Sequence, residues 1–324
     1  MSRCCFVSMG GDPFLALMSL RMFKERFYDE IDRFYACYNA IIDPKIVDYL
    51  AKQFDDPKIE WVYVDHPLGF GQPINRCLEK CNEDLILLLE DDGLVFEKGR
   101  LDALFKRIES GEVDAIGSPR FSCSNEIAEA TKVKYNLDYS GTGDKGPSFW
   151  PNFFFVKRED LNKTDLDFAG KGWKSGERIE ELDMTCKEEQ AGDTFVWTCI
   201  QLRAMGLRFL DVLQNHASPT EIEDIPLKRY NHDYGFQGWI HGGSLSSGWN
   251  GFLLNPPSAQ EGLAIQEFET RAAFWDLISD IEHVPDVEFT KRYKQGIDDF
   301  IREGGLDRGR VEQKKTFYKN LLGL

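Results

Sequence analysis

Five aliphatic residues, Leu85 to Leu89, run straight into three acids, Glu90, Asp91 and Asp92, and then Gly93. Carboxylates this close raise one another's pKa unless a cation neutralises them. Magnesium-like ions do so with one or two carboxylates and complete their shell with phosphate oxygens and water. Glu90-x-Asp92 at the end of a buried strand therefore has the makings of a metal–diphosphate site, with Asp92 on the metal. A solvated acidic turn would use the same residues without any ligand.

Three further groups could share that chemistry. Gly69-Phe70-Gly71-Gln72-Pro73-Ile74-Asn75-Arg76 opens a helix just upstream of the acids. Glycines before a helix N-terminus let a ligand approach the backbone, and Pro in the first turn suits a helix start with or without one. Gly71 and Asn75 are the candidate donor contacts there, and Asn39, at the end of an earlier strand, is another. Asp193 precedes an apolar helix, where it serves either as an N-cap or as a general base aimed into a cleft. Of five histidines, His216 follows Asp193 by 23 positions (216 − 193), and His241 sits in Trp239-Ile240-His241-Gly242-Gly243. Neutral imidazole is an ordinary ligand for manganese-like ions, so both are metal-ligand candidates, against a strand-end His bonded to backbone. His66 and His232 are weaker candidates, and His283 reads as a surface residue.

The elements that must position these groups alternate. Strand-like runs at 4–9, 33–39, 60–64, 84–89 and 115–119 are separated by helical periodicity over 14–27, 44–54, 73–81 and 101–110. This order predicts an open, largely parallel sheet with helices on both faces, and ligands collect at the carboxyl ends of such strands. The second half is less regular. Residues 124–146 read as a polar excursion, and Gly141 to Gly146 matches a dinucleotide fingerprint without the strand and helix it needs. Residues 149–157 form an aromatic strand, a helix is expected from Asp193 to Met205, and a strand from Leu207 to Leu213. From Ser258 the pattern is helical. The expected domains are 1–257, divided near 120 into a donor half and an acceptor half (121–257), and a helical extension over 258–324.

Together these pieces resemble family 2-type glycosyltransferases of the GT-A fold, over about Phe6 to His216. The segment Gly69 to Arg76 is similar to the one preceding the metal motif in rhamnosyltransferase-like members. Glu90-Asp91-Asp92 stands where that family has Asp-x-Asp, and Pro151 to Leu161 resembles the acceptor-side strand, ending in Lys157-Arg158. Asp193 falls on the second acid of the family's Glu-Asp pair, the base of inverting members. The resemblance implies a GT-A type, Rossmann-like open mixed sheet with helices on both faces. It also implies a nucleotide-sugar donor with Mn²⁺ or Mg²⁺, donor contacts from Asn39, Gly71, Asn75, Glu90 and Asp91, and metal contacts from Asp92 with His216 or His241. The sequence departs from the family at Glu90 (in place of Asp), at Gly192 (in place of Glu), in the Met9-Gly10-Gly11-Asp12 turn, and at Asn39, where an acid is common. The competing functions are a nucleotidyltransferase, which would need basic residues in the first glycine-rich turn, and a non-catalytic nucleotide- or sugar-binding protein.

Composition narrows the partners. The 324 residues carry 39 Lys plus Arg against 55 Asp plus Glu, a formal charge of −16, which disfavours nucleic acid as the main partner. The acceptor is therefore read as a hydroxyl on a glycan, a lipid-linked sugar or a small molecule, with a modified nucleobase less favoured; the sequence leaves the oligomeric state open. No stretch reaches the roughly 20 apolar residues of a membrane span, and the short N-terminal apolar run lacks a cleavage site, so a cytoplasmic location is expected. The eight cysteines sit mostly in apolar periodic segments and read as buried free thiols; the Cys77/Cys81 spacing is poor for a zinc knuckle.

Overall fold

The computed structural model describes residues 1–9, 13–38, 44–64, 71–91, 93–95, 98–120, 123–137, 148–166, 168–211 and 239–241, scattered helical positions between 269 and 302, and 306–322. One seven-stranded sheet organises it. The strands are β1 (Arg3–Met9), β2 (Arg33–Tyr38), β3 (Ile59–Tyr63), β4 (Leu85–Glu90), β6 (Ala115–Arg120), β7 (Ser148–Lys157) and β12 (Phe209–Asp211). Their order is β12-β6-β7-β4-β1-β2-β3. All neighbours are parallel except β7, which runs antiparallel to both β4 and β6. The sheet is thus mixed and open, of the GT-A type.

Alternation along the strands divides the core. Leu85, Leu87, Leu89, Phe34, Ala36 and Tyr38 face one apolar cluster. Helices α1 (Pro13–Met22), α2 (Pro44–Gln53) and α4 (Arg100–Glu109) cover it, and α8 (Arg308–Leu322) joins through Val311 and Tyr318. Ile86, Leu88, Tyr35 and Cys37 face the other cluster, covered by α3 (Gln72–Lys80), α6 (Arg158–Leu161) and α7 (Val196–Ala204). A strand apolar on both faces, as β4 is, needs helices on both sides. Beyond Met22 the first helix continues as a widened π-turn, Phe23–Phe27, which buries both of its Phe rings; Phe23 stacks on Phe34 at 4.6 Å.

Two expectations need correction. The region 124–146 is not wholly an excursion, because Asn125–Tyr135 is helix α5. It presents Ile127, Ala128 and Thr131 to a small third cluster and the adjoining core. Its entry is fastened by Ser124, whose amide and hydroxyl both donate to the Ala191 carbonyl, and by Glu126, which accepts from Gln190 at 2.9 Å. The helix expected from Asp193 begins three residues later, at Val196, because Phe195 takes φ +72°. Phe195 is held there by its amide donating to the Phe168 carbonyl at 3.1 Å and by a ring stack on Phe168 at 5.6 Å.

The remaining short strands are β5 (Gly93–Val95), β8 (Lys171–Trp173), β9 (Arg178–Ile179), β10 (Met184–Thr185), β11 (Gln190–Gly192) and β13 (Trp239–His241). They form three two-stranded ladders, β9 with β10, β8 with β11 and β5 with β13. Among the described residues, no helix is long and apolar enough to cross a membrane.

Candidate active site

The carboxyl ends of the parallel strands fall on one edge. Ser8 of β1 pairs with Glu90 of β4, Met9 with Tyr38 of β2, and Tyr38 with Tyr63 of β3. On this edge Glu90 continues the Ile86–Leu88 side of β4 and so lies on the α3 face, half-buried. Asp91 lies just past the strand end, is 2% exposed, and stands close enough to Tyr38 to act on its charge. The two acids therefore serve opposite faces of the sheet. Burial pushes the Tyr38 phenol well above its ordinary pKa, and the Asp91 carboxylate adds to that. The Tyr38 hydroxyl is buried with no hydrogen-bond partner among the described residues, and it stacks on Trp61 at 5.7 Å. Sequence reading missed Tyr38. Its aromatic ring looked like one more core residue, and only the orphaned hydroxyl distinguishes it.

The helix that opens beside Glu90 is anchored by backbone contact. A Cβ on Gly71 would lie 2.2 Å from the Phe168 carbonyl carbon and oxygen and 2.6 Å from the Ala169 nitrogen. Only glycine fits, so Gly71 has a packing reason to be glycine whether or not a ligand approaches it. Four residues on, Asn75 stands in the first turn of α3, and its Oδ1 is buried without a partner among the described residues. A buried acceptor without a donor costs about 1–3 kcal/mol, which a ligand donor would offset.

The segment against Gly71 leads directly to Asp193. A Cβ on Gly170 would lie 3.2 Å from the Gly192 carbonyl oxygen and 3.8 Å from the Asp193 backbone, so the two segments run side by side there. Lys171 stands opposite Gly192 in the β8–β11 ladder, and Gly192 also bridges Cys123, just past β6. Asp193 is exposed, and its Oδ1 accepts from the Thr194 amide at 2.7 Å. It is not the N-cap of α7, since Phe195 takes that position and caps without a side-chain bond. At the site of the missing family acid, a Cβ on Gly192 would meet Val196 Cγ1 at 2.9 Å and Trp173 Cζ3 at 3.3 Å, so a larger side chain has no room. The nearby Glu188 and Glu189 are exposed.

The structure thus gathers Gly71, Asn75, Glu90 and Asp193 on the α3 side of the carboxyl edge. Asp91 stands at the same edge on the Tyr38 side. His241 lies in β13, its backbone directly opposite Gly93, two residues past Asp91; the pairing brings it beside the acidic turn across a long stretch of chain. Asn39, Asp92 and His216 lie outside the described residues, as do His66, His232, His283 and the Gly141–Gly146 segment. The basic pair Lys157-Arg158 sits at the opposite edge, where Arg158 Nε donates to the Glu83 carbonyl at 2.9 Å. Phe149 and Trp173 are buried packing residues.

Comparison with known proteins adds a family signal. Residues 43–174 match the model described as glycosyl transferase family 2. No curated protein matches the chain by sequence. Among solved structures, similarity extends to a Pyrobaculum calidifontis mannosyltransferase solved with GDP-Man and Mn²⁺, at 13% identity and TM-score 0.43 over 99% of this chain and 85% of that one. Glucosyl-3-phosphoglycerate synthase from Mycobacterium tuberculosis, with phosphoglyceric acid, matches at 13% identity and TM-score 0.36 over 51% of this chain and 59% of that one. S. aureus TarS matches at 12% identity and TM-score 0.41 over 93% and 55%.

The donor set at the acidic turn suits a hard divalent cation. The residues at this strand end are hard oxygen donors, and Asp91 among them is buried.

Proposed function

We propose that the protein transfers a sugar from a nucleotide-sugar donor to an acceptor hydroxyl, with inversion at the anomeric carbon. The observation supporting this most directly is one continuous path of chain: Gly71 closes on Phe168, and Gly170, two residues on, runs beside Gly192 and Asp193, on the face of the sheet where Glu90 ends β4. This supports reading Asp193 as the proton acceptor beside a donor held near α3, and Gly71, Phe168 and Gly170 fall inside the family 2 match.

In this reading Asn75 and the start of α3 hold the donor, and Glu90 orients it. A divalent cation held by Asp92, Asp91 and a histidine, His216 or His241, would stabilise charge on the departing diphosphate. Asp193 takes the proton from the acceptor hydroxyl as its oxygen bonds to the anomeric carbon and the bond from that carbon to the phosphate oxygen breaks. The amide of Thr194 fixes one oxygen of the Asp193 carboxylate and so sets its direction. Holding both reactants in line is worth several orders of magnitude by itself.

The test measures nucleotide release from a panel of sugar nucleotides with Mn²⁺ or Mg²⁺, followed by transfer with hydroxyl acceptors. Asp193→Asn should leave donor affinity near normal and lower transfer about 10²–10⁴-fold, the usual scale for a general base. Near-normal turnover in that variant removes Asp193 from the reaction. Release of pyrophosphate from nucleoside triphosphates instead would establish the nucleotidyltransferase alternative.

A further inference from the structure

A second cluster of ligating groups lies at the other end of the strands. Cys4 is the second residue of β1, and Cys81 and Glu83 form the turn between α3 and β4. Residues 77 positions apart are thereby brought together: Cys4 Sγ and Cys81 Sγ are 3.6 Å apart, and Cys81 Sγ is 3.4 Å from Glu83 Oε2. One ligand atom from each of the three residues falls within 4.8 Å of the others. This turn precedes β4, whereas Glu90 ends it, about 16 Å away at strand rise.

The distances match a tetrahedral ion. With Zn–S about 2.3 Å, two thiolates on one zinc stand about 3.8 Å apart, and a thiolate and a carboxylate oxygen about 3.5 Å apart. The surroundings suit it as well. Glu83 Oε2 accepts from Tyr35 Oη at 2.8 Å and from the Asn82 amide at 3.2 Å, so the carboxylate is aimed by outer partners as metal ligands are. Arg33 Nε lies 4.0 Å from Glu83 Oε1, a cation that offsets the surplus negative charge of two thiolates and a carboxylate on a divalent ion. Cys4 and Cys81 are buried, while the Glu83 side chain is 13% exposed, which leaves a route to solvent on one side.

We propose that Cys4, Cys81 and Glu83 bind a thiophilic divalent cation of the zinc type, with water in the fourth position, and that this ion fastens the α3–β4 turn to the first strand. Binding replaces two thiol protons by the metal and releases both to solvent. Metal and protons compete for the same sulfurs, so affinity weakens as the pH falls.

The test uses the full chain, reduced and stripped with chelator, titrated with Cd²⁺ and followed by the thiolate-to-cadmium charge-transfer absorption. A saturable band at one equivalent, displaced by Zn²⁺, is expected. Zn²⁺ at a hundredfold excess over its Kd should raise the unfolding midpoint by about 5 °C. Cys4→Ser and Cys81→Ser should each remove the site. Glu83→Gln keeps both thiols and a partly exposed side chain, so it should fold and weaken Cd²⁺ binding at least about tenfold. Cys186→Ser, in the small third cluster, should change nothing. Absence of the band, a band that follows Cys37 and Cys77 instead, or unchanged affinity in Glu83→Gln overturns the proposal. An ion on the carboxylates at the other edge gives no thiolate band, so the result is independent of the donor site.

Discussion

Substituting Gly71 by Ala tests the packing path that connects the start of α3 to Asp193. The added methyl would lie 2.2 Å from the Phe168 carbonyl atoms, whereas real Cβ contacts essentially never fall below 3.0 Å, so backbone must retreat by at least 0.8 Å (3.0 − 2.2). Neither side yields cheaply. The Phe168 carbonyl accepts from the Phe195 amide, and that bond helps hold Phe195 in its left-handed conformation at φ +72°. Overpacking costs about 1–3 kcal/mol and a strained buried hydrogen bond about 1 more. For a chain of this size each kcal/mol moves the melting midpoint by about 2 °C, so a fall of about 4–8 °C is expected. Gly172→Ala is the matched control, since its Cβ would meet nothing closer than the Gln190 carbonyl at 3.9 Å. The assay is thermal unfolding of both variants beside donor affinity and transfer rate. Because Gly170 on the displaced segment runs beside the Gly192–Asp193 backbone, transfer should fall further than the midpoint alone explains. A Gly71→Ala protein with an unchanged midpoint, or one that behaves like Gly172→Ala, would refute the reasoning.

Two other perturbations have defined signs. Tyr38→Phe removes a buried hydroxyl that lacks a partner among the described residues, so stability should hold or rise by about 1 kcal/mol; a loss of stability in chemical denaturation would show that the hydroxyl is satisfied. Arg3 bonds Glu109 at 2.9 Å through two nitrogens and Asp102 at 2.7 Å, and its guanidinium holds the Glu109 carboxyl below the usual range. Because that folded pKa is depressed, the contribution is complete above the unfolded value of about 4.3 and disappears as the pH falls through the folded one. Arg3→Met should therefore cost about 1–2 kcal/mol at neutral pH, discounted for partial exposure, and the gap from wild type in urea midpoints should close toward pH 3. A gap independent of pH would assign the effect to packing on Phe105, over whose ring the guanidinium lies at 5.2 Å.

The parallel half of the sheet was legible because its signals are local. Leu85 to Leu89 is apolar on both faces, and that alone calls for a central strand with helices on both sides. The same alternation predicts the faces taken by Glu90 and Asp91. The direction of β7 was not legible: Phe153, Phe154 and Phe155 fill both faces of the sheet, so the residues carry no mark of which way the strand runs. Helix α5 escaped notice because Ile127 is the only large apolar residue it fully buries, and its entry is fixed by Ala191, far along the chain. The start of α7 was misplaced for a similar reason, since what bends Phe195 is Phe168, and a backbone contact between distant segments leaves no periodic trace. Of the candidate site, the residue types were readable. The packing that brings Gly71 toward Asp193, and the pairing that brings His241 to Gly93, were not.

The apolar cluster on one face of the sheet contains both Val7, from the first strand, and Tyr318, from the last helix. As the chain emerges from the ribosome, β1 can find β2 and β4, and α1, α2 and α4 can cover much of that side by Glu109, yet the places of Val311 and Tyr318 stay empty until some two hundred further residues have been made. A half-made chain therefore shows water, and any chaperone nearby, the apolar patch that the late helix will cover.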